Sequence, residues 1–209
     1  MSAIMAFFYD RFMSGLEKAC LHDWRTELLA EVKGEVLEIG AGTGANLAYY
    51  PNGNIRLLLS EPDAAMRKQL EKKIALTQRD DICLNSLQAE KLLLEDNRFD
   101  YVIASLVCCS VTNIDRSLAE IYRVLKPGGR YLFIEHVAAK TDSKARRLQE
   151  WLTPLWRKFA GNCHLNRETE KAMLMAGFEL VKIQRDAMPD SVPAIVRSSI
   201  HGIAVKPLN

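Results

Sequence analysis

The sequence predicts an α/β fold: a seven-stranded, mostly parallel sheet with an antiparallel last strand, helices on both faces and a helical cap at the N-terminal end. Three observations carry this. Short β-branched or leucine-rich runs alternate with amphipathic segments, as a parallel sheet covered on both faces requires. The apolar run Val36–Ile39 passes directly into a turn with glycine at positions 40, 42 and 44. The link from Arg185 to Ser199 holds two prolines and little helical periodicity, so the last two strands pair antiparallel, without the crossover helix that a parallel pair needs.

In chain order the strands are expected at Val36–Ile39, Ile55–Ser60, Ile82–Asn85, Tyr101–Ser105, Tyr131–Glu135, Phe178–Gln184 and Ile200–Lys206. Asp63 caps a helix whose Met66, Leu70 and Ile74 form one stripe. A second helix opens at Asp115 and buries Leu118, Ile121, Tyr122 and Leu125. It is stopped at Lys126-Pro127-Gly128-Gly129, where proline cannot continue it and the glycines turn the chain. A third runs from an Asn166 cap to Ala176, with Gly177 just past its end.

Length and charge bound the function. The 209 residues suit one domain, residues 1–209, with a cap over 1–33 and a core over 34–206. With 28 basic and 26 acidic side chains, the net charge of +2 supplies no long-range field for nucleic acid or an anionic membrane. The five cysteines form no C-x-x-C pair and no signal peptide precedes them, which points to a reducing cytoplasmic setting. No apolar run approaches the roughly 18 residues of a membrane span, and "MSAIMAFFYDRF" reads as a packed or capping helix, with a weak interfacial anchor as the lesser reading.

Gly40, Gly42 and Ala45 satisfy the dinucleotide pattern G-x-G-x-x-G/A, with Glu61 following the second strand. Charge separates the ligands that the pattern cannot. No lysine or arginine lies between Val36 and Pro51, and Glu38 puts a carboxylate there, so a pyrophosphate is disfavoured and a cationic ligand favoured. S-adenosyl-L-methionine meets this demand: it carries a sulfonium and an ammonium, has no phosphate, and offers ribose hydroxyls to Glu61. Glu38 would anchor the ammonium.

The stretches "VLEIGAGTG", "SEPD", "QAEKL", "FDYVIASLVCCSV" and "RVLKPGGRYLFIEHV", in that order, resemble the class I S-adenosylmethionine-dependent methyltransferases of the ubiquinone/menaquinone type, whose sheet is Rossmann-like. Within these, "SLVCCSV", "EHV", "GNCHLNRETEKAMLMAGF" and "HGIAVK" resemble the methyltransferase-like group that methylates small thiols. Two features depart from that group: the longer apolar leader of its animal members is absent, and Leu92-Leu93 stands where Leu-Pro is usual. The resemblance implies Gly40, Ala41, Gly42 and Gly44 against the methionine end and Glu61, followed by Pro62, at the ribose. It places Ala89 and Glu90 beside the adenine and Leu106 under the donor. The product would be S-adenosyl-L-homocysteine, and the partner a small-molecule methyl acceptor, with no nucleic acid.

His136 ends the fifth strand and reads as a general base or as a structural histidine. Tyr9, Cys109, His136, Trp151 and His164 are the candidates for the acceptor pocket, with Trp24 above it and His201 structural. Trp151 and Trp156, set among Lys144, Arg146, Arg147, Arg157 and Lys158, could serve a nucleic-acid surface. The preferred reading is an amphipathic helix whose tryptophans close over a small apolar pocket. Cys108 and Cys109 with Cys163 could hold a soft metalloid, but the plainer reading is small buried hydrophobes, and no metal is assigned. Two other functions fit the same motifs, a nicotinamide-dependent reductase and a donor-binding module without turnover.

Overall fold

The computed structural model describes residues 11, 13–190 and 192–208; Tyr9 and, apart from Arg11, the helix expected over residues 1–12 lie outside them. The strands are β1 (Gly34–Ile39), β2 (Ile55–Ser60), β3 (Ile82–Asn85), β4 (Phe99–Ser105), β5 (Leu125–His136), β6 (Glu179–Ala187) and β7 (Ser198–Val205). The helices are α1 (His22–Leu29), preceded by a π-helical turn Glu17–Leu21, then α2 (Ala64–Thr77), α3 (Ile114–Val124), α4 (Lys144–Phe159) and α5 (Thr169–Met175). The sheet order is β3-β2-β1-β4-β5-β7-β6. The first five strands pair parallel, and β7 runs antiparallel to both β5 and β6.

Period-2 alternation splits the core into two layers. Leu37, Val102, Tyr131 and Phe133 face Leu118, Ile121 and Val124 of α3 and Met173 of α5. Their neighbours Val36, Ile103, Leu132 and Ile134 face Leu28 and Leu29 of α1 and Leu70 of α2. Each such apolar side chain removed from water contributes about 1.5–3 kcal/mol. Parallel strands flanked by helices put the carboxyl ends of β1 to β5 on one edge, where open α/β sheets receive ligands.

Asp63 caps α2 as expected, accepting from the N–H groups of Ala65 and Met66 at 3.0 Å. Three local expectations are corrected. Asn113 caps α3, accepting from Arg116 N–H at 3.0 Å, so Asp115 sits inside the first turn. The helix ends at Val124, and Leu125 already pairs with Phe99; the Pro-Gly-Gly segment is the irregular start of β5, not a loop before it. Glu168 holds the position before α5 and makes no side-chain cap, while Asn166 Oδ1 lies 3.4 Å from the Thr153 hydroxyl. Contact with α4 has displaced the local capping signal.

Between β1 and β2 the chain makes no α-helix. Turns lead only to a single 3-10 turn, Leu47–Tyr49. The glycine turn therefore lacks the helix macrodipole on which a bound pyrophosphate rests.

Candidate functional site

The three glycines of the turn are all left-handed, with φ of +62°, +58° and +84° at positions 40, 42 and 44, but their surroundings differ. A Cβ on Gly40 would lie 2.6 Å from Val107 Cγ2, and one on Gly44 would lie 2.8 Å from Leu47 and Leu70. Those two are glycines for packing. A Cβ on Gly42 would meet nothing nearer than the Gly40 carbonyl oxygen at 4.0 Å, so its bare face borders open space. Ala41 is buried, its N–H donated to Ser60 O at 3.0 Å.

Glu61 stands across that opening. One carboxylate oxygen accepts from Gly42 N–H and the other from Asp63 N–H, both at 2.8 Å. Burial pushes the carboxyl above its ordinary range, opposed by these two hydrogen bonds. Pro62 is exposed beside it, and Arg67 donates to the carbonyls of both Glu61 and Pro62.

Glu38 is buried and accepts from Tyr50 OH at 2.7 Å and from Asn46 Nδ2 at 2.9 Å. The absence of a cation, read from residues 36 to 51, does not hold in space. Arg25, 4 % exposed on α1, donates to Asn46 Oδ1 and pairs with Glu17 at 3.1 Å. Nothing local announces this, because 21 residues separate Arg25 from Asn46. Among the described residues the balance around the turn is still negative, with Glu17, Glu38, Glu61 and Asp63 against Arg25 and Arg67. Burial raises the Glu38 pKa, while Tyr50, Asn46 and Arg25 favour its ionised form.

Ala89 is buried, and Glu90 accepts from the N–H groups of Thr112 and Asn113 at 2.7 and 3.3 Å. The Glu90 carboxylate thus clamps its loop to the start of α3. Leu106 leaves β4 with φ of +60° and donates its N–H to Ile134 O at 2.6 Å. The next three residues hang on Glu135, which accepts from Val107, Cys108 and Cys109 N–H at 3.1, 2.8 and 3.3 Å. Burial raises the Glu135 pKa to about 7 against those hydrogen bonds. This residue was missed by sequence reasoning. Its one local signal is an acid inside the apolar run "YLFIEH".

On the same loop Cys109 faces His136 and Cys163, and the two sulfurs and a ring nitrogen lie within 4.8 Å of one another. His136 is 5 % exposed, with Nε2 2.6 Å from Cys163 Sγ and Nδ1 without a partner among the described residues. It addresses a cysteine, not open crevice. Cys108 points away, to Tyr131 OH at 3.2 Å, so the three-cysteine grouping weighed as the lesser reading of the sequence does not form; Cys109 and Cys163 meet a histidine instead. Interaction with the Cys109 thiol, aided by His136, lowers the Cys163 pKa, and the Cys109 pKa rises in turn.

The segment after α4 covers this loop. His164 donates its backbone N–H to Cys109 O at 2.7 Å, and Asn162 Nδ2 donates to Ser110 O at 2.9 Å. His164 Nδ1 accepts from Arg167 at 2.9 Å. Burial first, then Arg167 and Arg157, lowers the His164 pKa, which suits a neutral ring.

Two further expectations are corrected. Trp151 is 77 % exposed and does not enter this region. The inner face of α4 is set by Gln149, which accepts from Ala139 N–H at 2.8 Å and donates to Val137 O and Ile195 O at 3.3 and 2.9 Å, with Thr153 buried one turn on. At 3.6 residues per turn Trp151 must then point outward. Trp24 stacks on His201 at 4.3 Å between ring centroids, over β7. A groove of about 510 Å³ does exist, but at the opposite edge of the sheet, between Gly34 and Lys126–Arg130.

Comparison with known proteins supplies the remaining findings. The family description "Methyltransferase domain" matches residues 37–133. Thiol S-methyltransferase TMT1A of Homo sapiens is 38% identical over 180 residues, covering 82% of this chain and 70% of the relative. Ubiquinone/menaquinone biosynthesis C-methyltransferase UbiE of Rickettsia bellii is 31% identical over 127 residues, 56% of this chain and 51% of the relative. A solved structure of Haemonchus contortus phosphoethanolamine N-methyltransferase 2 with S-adenosyl-L-methionine superimposes with a TM-score of 0.66 at 16% identity, covering 99% of this chain and 60% of that one. At that identity the last match speaks for the fold alone.

Proposed function

The chain belongs to the class I S-adenosylmethionine-dependent methyltransferases, and from that premise we propose that its acceptor is a small-molecule thiol. The donor would lie along the open face of Gly42, its ribose on Glu61, its adenine by Ala89, and its ammonium toward Glu38. The carboxylates Glu38 and Glu61 welcome a cationic donor, and the turn lacks the dipole that would hold a phosphate.

One observation carries the choice of a thiol over a phenol or an amine: the candidate base His136 and the nearby His164 both already have side-chain partners. His136 is held on Cys163 and His164 on Arg167. A thiol, with an ordinary pKa of about 8.5, is partly ionised near neutral pH and needs little help from a base. The 38% identity to a thiol S-methyltransferase supports the same reading.

Methyl transfer is an in-line displacement. The acceptor sulfur attacks the methyl carbon as the bond to the sulfonium breaks, and the electron pair stays on the departing thioether. The protein's work is then to hold the sulfur roughly 3–3.5 Å from the methyl and to exclude water. Glu135, through its three backbone hydrogen bonds, fixes the loop that would press against both reactants.

The experiment is a screen of thiols, phenols, quinone precursors and amines for release of S-adenosyl-L-homocysteine. Turnover is expected with small thiols, and turnover with phenols or amines alone would reject the thiol reading. Among the described residues no helix is long and apolar enough to cross a membrane.

A further inference from the structure

We propose that the side chains of Cys109, His136 and Cys163 form a three-ligand site for Zn(II), with a fourth coordination position for the sulfur of the methyl acceptor; the acceptor role rests on the thiol reading above.

The donor set fits the ion. Two thiolates and one imidazole leave one position open, the arrangement of catalytic rather than structural zinc sites. The ligand atoms lie within 4.8 Å of one another. A tetrahedral ion about 2.3 Å from sulfur and about 2.0 Å from nitrogen holds its ligand atoms roughly 3.5 to 3.8 Å apart. The 2.6 Å His136–Cys163 contact must open by about 1 Å, and the widest pair close by about as much, to reach those spacings. Side-chain rotation can supply both movements.

The ligands come from three separately anchored pieces of chain. Cys109 is held by the Glu135 carboxylate. His136 ends β5 in register with Ser199 of β7, and Cys163 donates its N–H to Ala160 O at 3.0 Å. All three are buried, at 3 %, 5 % and 8 % exposure. Two buried thiolates are unfavourable without a cation between them, and Zn(II) with one neutral imidazole brings the set to zero net charge.

Position gives the site its role. Val107, two residues before Cys109, packs against Gly40 of the glycine turn, which sets the cluster beside the donor crevice. An acceptor thiol entering the fourth position would lose its proton to solvent and stay on the metal as thiolate. That sulfur then attacks the methyl carbon while the sulfonium–methyl bond breaks, with the electron pair left on S-adenosyl-L-homocysteine. The neutral thioether product is a weaker ligand and leaves.

Cobalt is the spectroscopic probe. The full chain, stripped with a chelator, is titrated with Co(II) and then back-titrated with Zn(II). One equivalent is expected to bind, with the thiolate-to-cobalt charge-transfer band and the visible bands of a tetrahedral ion. Binding should be lost in Cys163→Ser and in His136→Ala, with folding checked by circular dichroism, and retained in Cys108→Ser. Cys163→Asp, which keeps a ligand atom, should bind with a weakened charge-transfer band. Addition of 2-mercaptoethanol should shift the visible bands, and its S-methyl ether should not. No stoichiometric binding, or binding unchanged in both Cys163→Ser and His136→Ala, overturns the metal site. Bound cobalt that ignores 2-mercaptoethanol overturns the acceptor role. Release of S-adenosyl-L-homocysteine from thiols at full rate by the metal-free chain also overturns it, while leaving the thiol reading standing.

Discussion

Glu61 reaches from the end of β2 to accept the N–H of Gly42 at 2.8 Å. The acid assigned to the donor's ribose and the glycine whose bare face borders the crevice are thus in direct contact. On the proposed placement the donor's ribose would be accommodated at this junction, with Asp63 N–H on the other Glu61 oxygen.

Replacing that acid should be felt mainly in binding. Glu61→Ala is expected to weaken S-adenosyl-L-methionine by roughly 10- to 100-fold, about 1.5–3 kcal/mol for a charged hydrogen-bond acceptor. Isothermal titration calorimetry reads this, and wild-type affinity in the variant would remove Glu61 from the donor site.

The glycines should separate stability from affinity. Gly42→Ala adds a methyl where only its own turn's carbonyl lies as near as 4.0 Å, so the fold loses only the left-handed strain, about 1–2 kcal/mol, while donor affinity falls sharply. Gly40→Ala drives the same methyl to 2.6 Å from Val107 and should lower the melting temperature further. Equal losses of stability would contradict the division of roles.

Glu135 gives a pH signature. Its folded-state pKa of about 7 lies above the ordinary 4.5, so the native state binds its proton more tightly than the unfolded chain does. The associated stability, about 3 kcal/mol, is fully present below pH 4.5, falls as pH rises and is gone above 7. Denaturant unfolding between pH 5 and 8 should therefore slope downward in the wild type and more weakly in Glu135→Gln. Matching slopes would refute the assignment.

Two residues on α4 should behave oppositely. Trp151→Ala, at a site 77 % exposed, should change stability by no more than about 0.5 kcal/mol and leave turnover of small thiols unaltered. Gln149→Ala strands the N–H of Ala139 and the carbonyls of Val137 and Ile195 and should cost about 2–4 kcal/mol. Thermal melts and kcat/KM for both variants check this. A loss of activity confined to Trp151→Ala would restore the tryptophan to the acceptor pocket.

Much of the fold was legible because its determinants are short-range. β-Branched runs, the Asp63 cap, the proline-bearing link before β7 and the glycines after β1 act through neighbours a few residues away. The places of Glu38 and Glu61 at the ends of β1 and β2 followed from the same runs. Where prediction failed, a distant contact had overridden a local preference, as when Asn166 turned to Thr153 instead of capping α5, or when Gln149 fixed the inner face of α4.

By itself the sequence determined the strands, their order of direction and a glycine turn flanked by acids, since alternation, caps and left-handed positions are written in adjacent residues. Only the tertiary structure decided that Arg25 reaches Asn46, that Glu135 holds the loop after β4, and that Cys109, His136 and Cys163 converge. Those meetings join residues 21 to 54 positions apart, and chain segments so separated are brought together by the packing of whole elements, which no local pattern specifies.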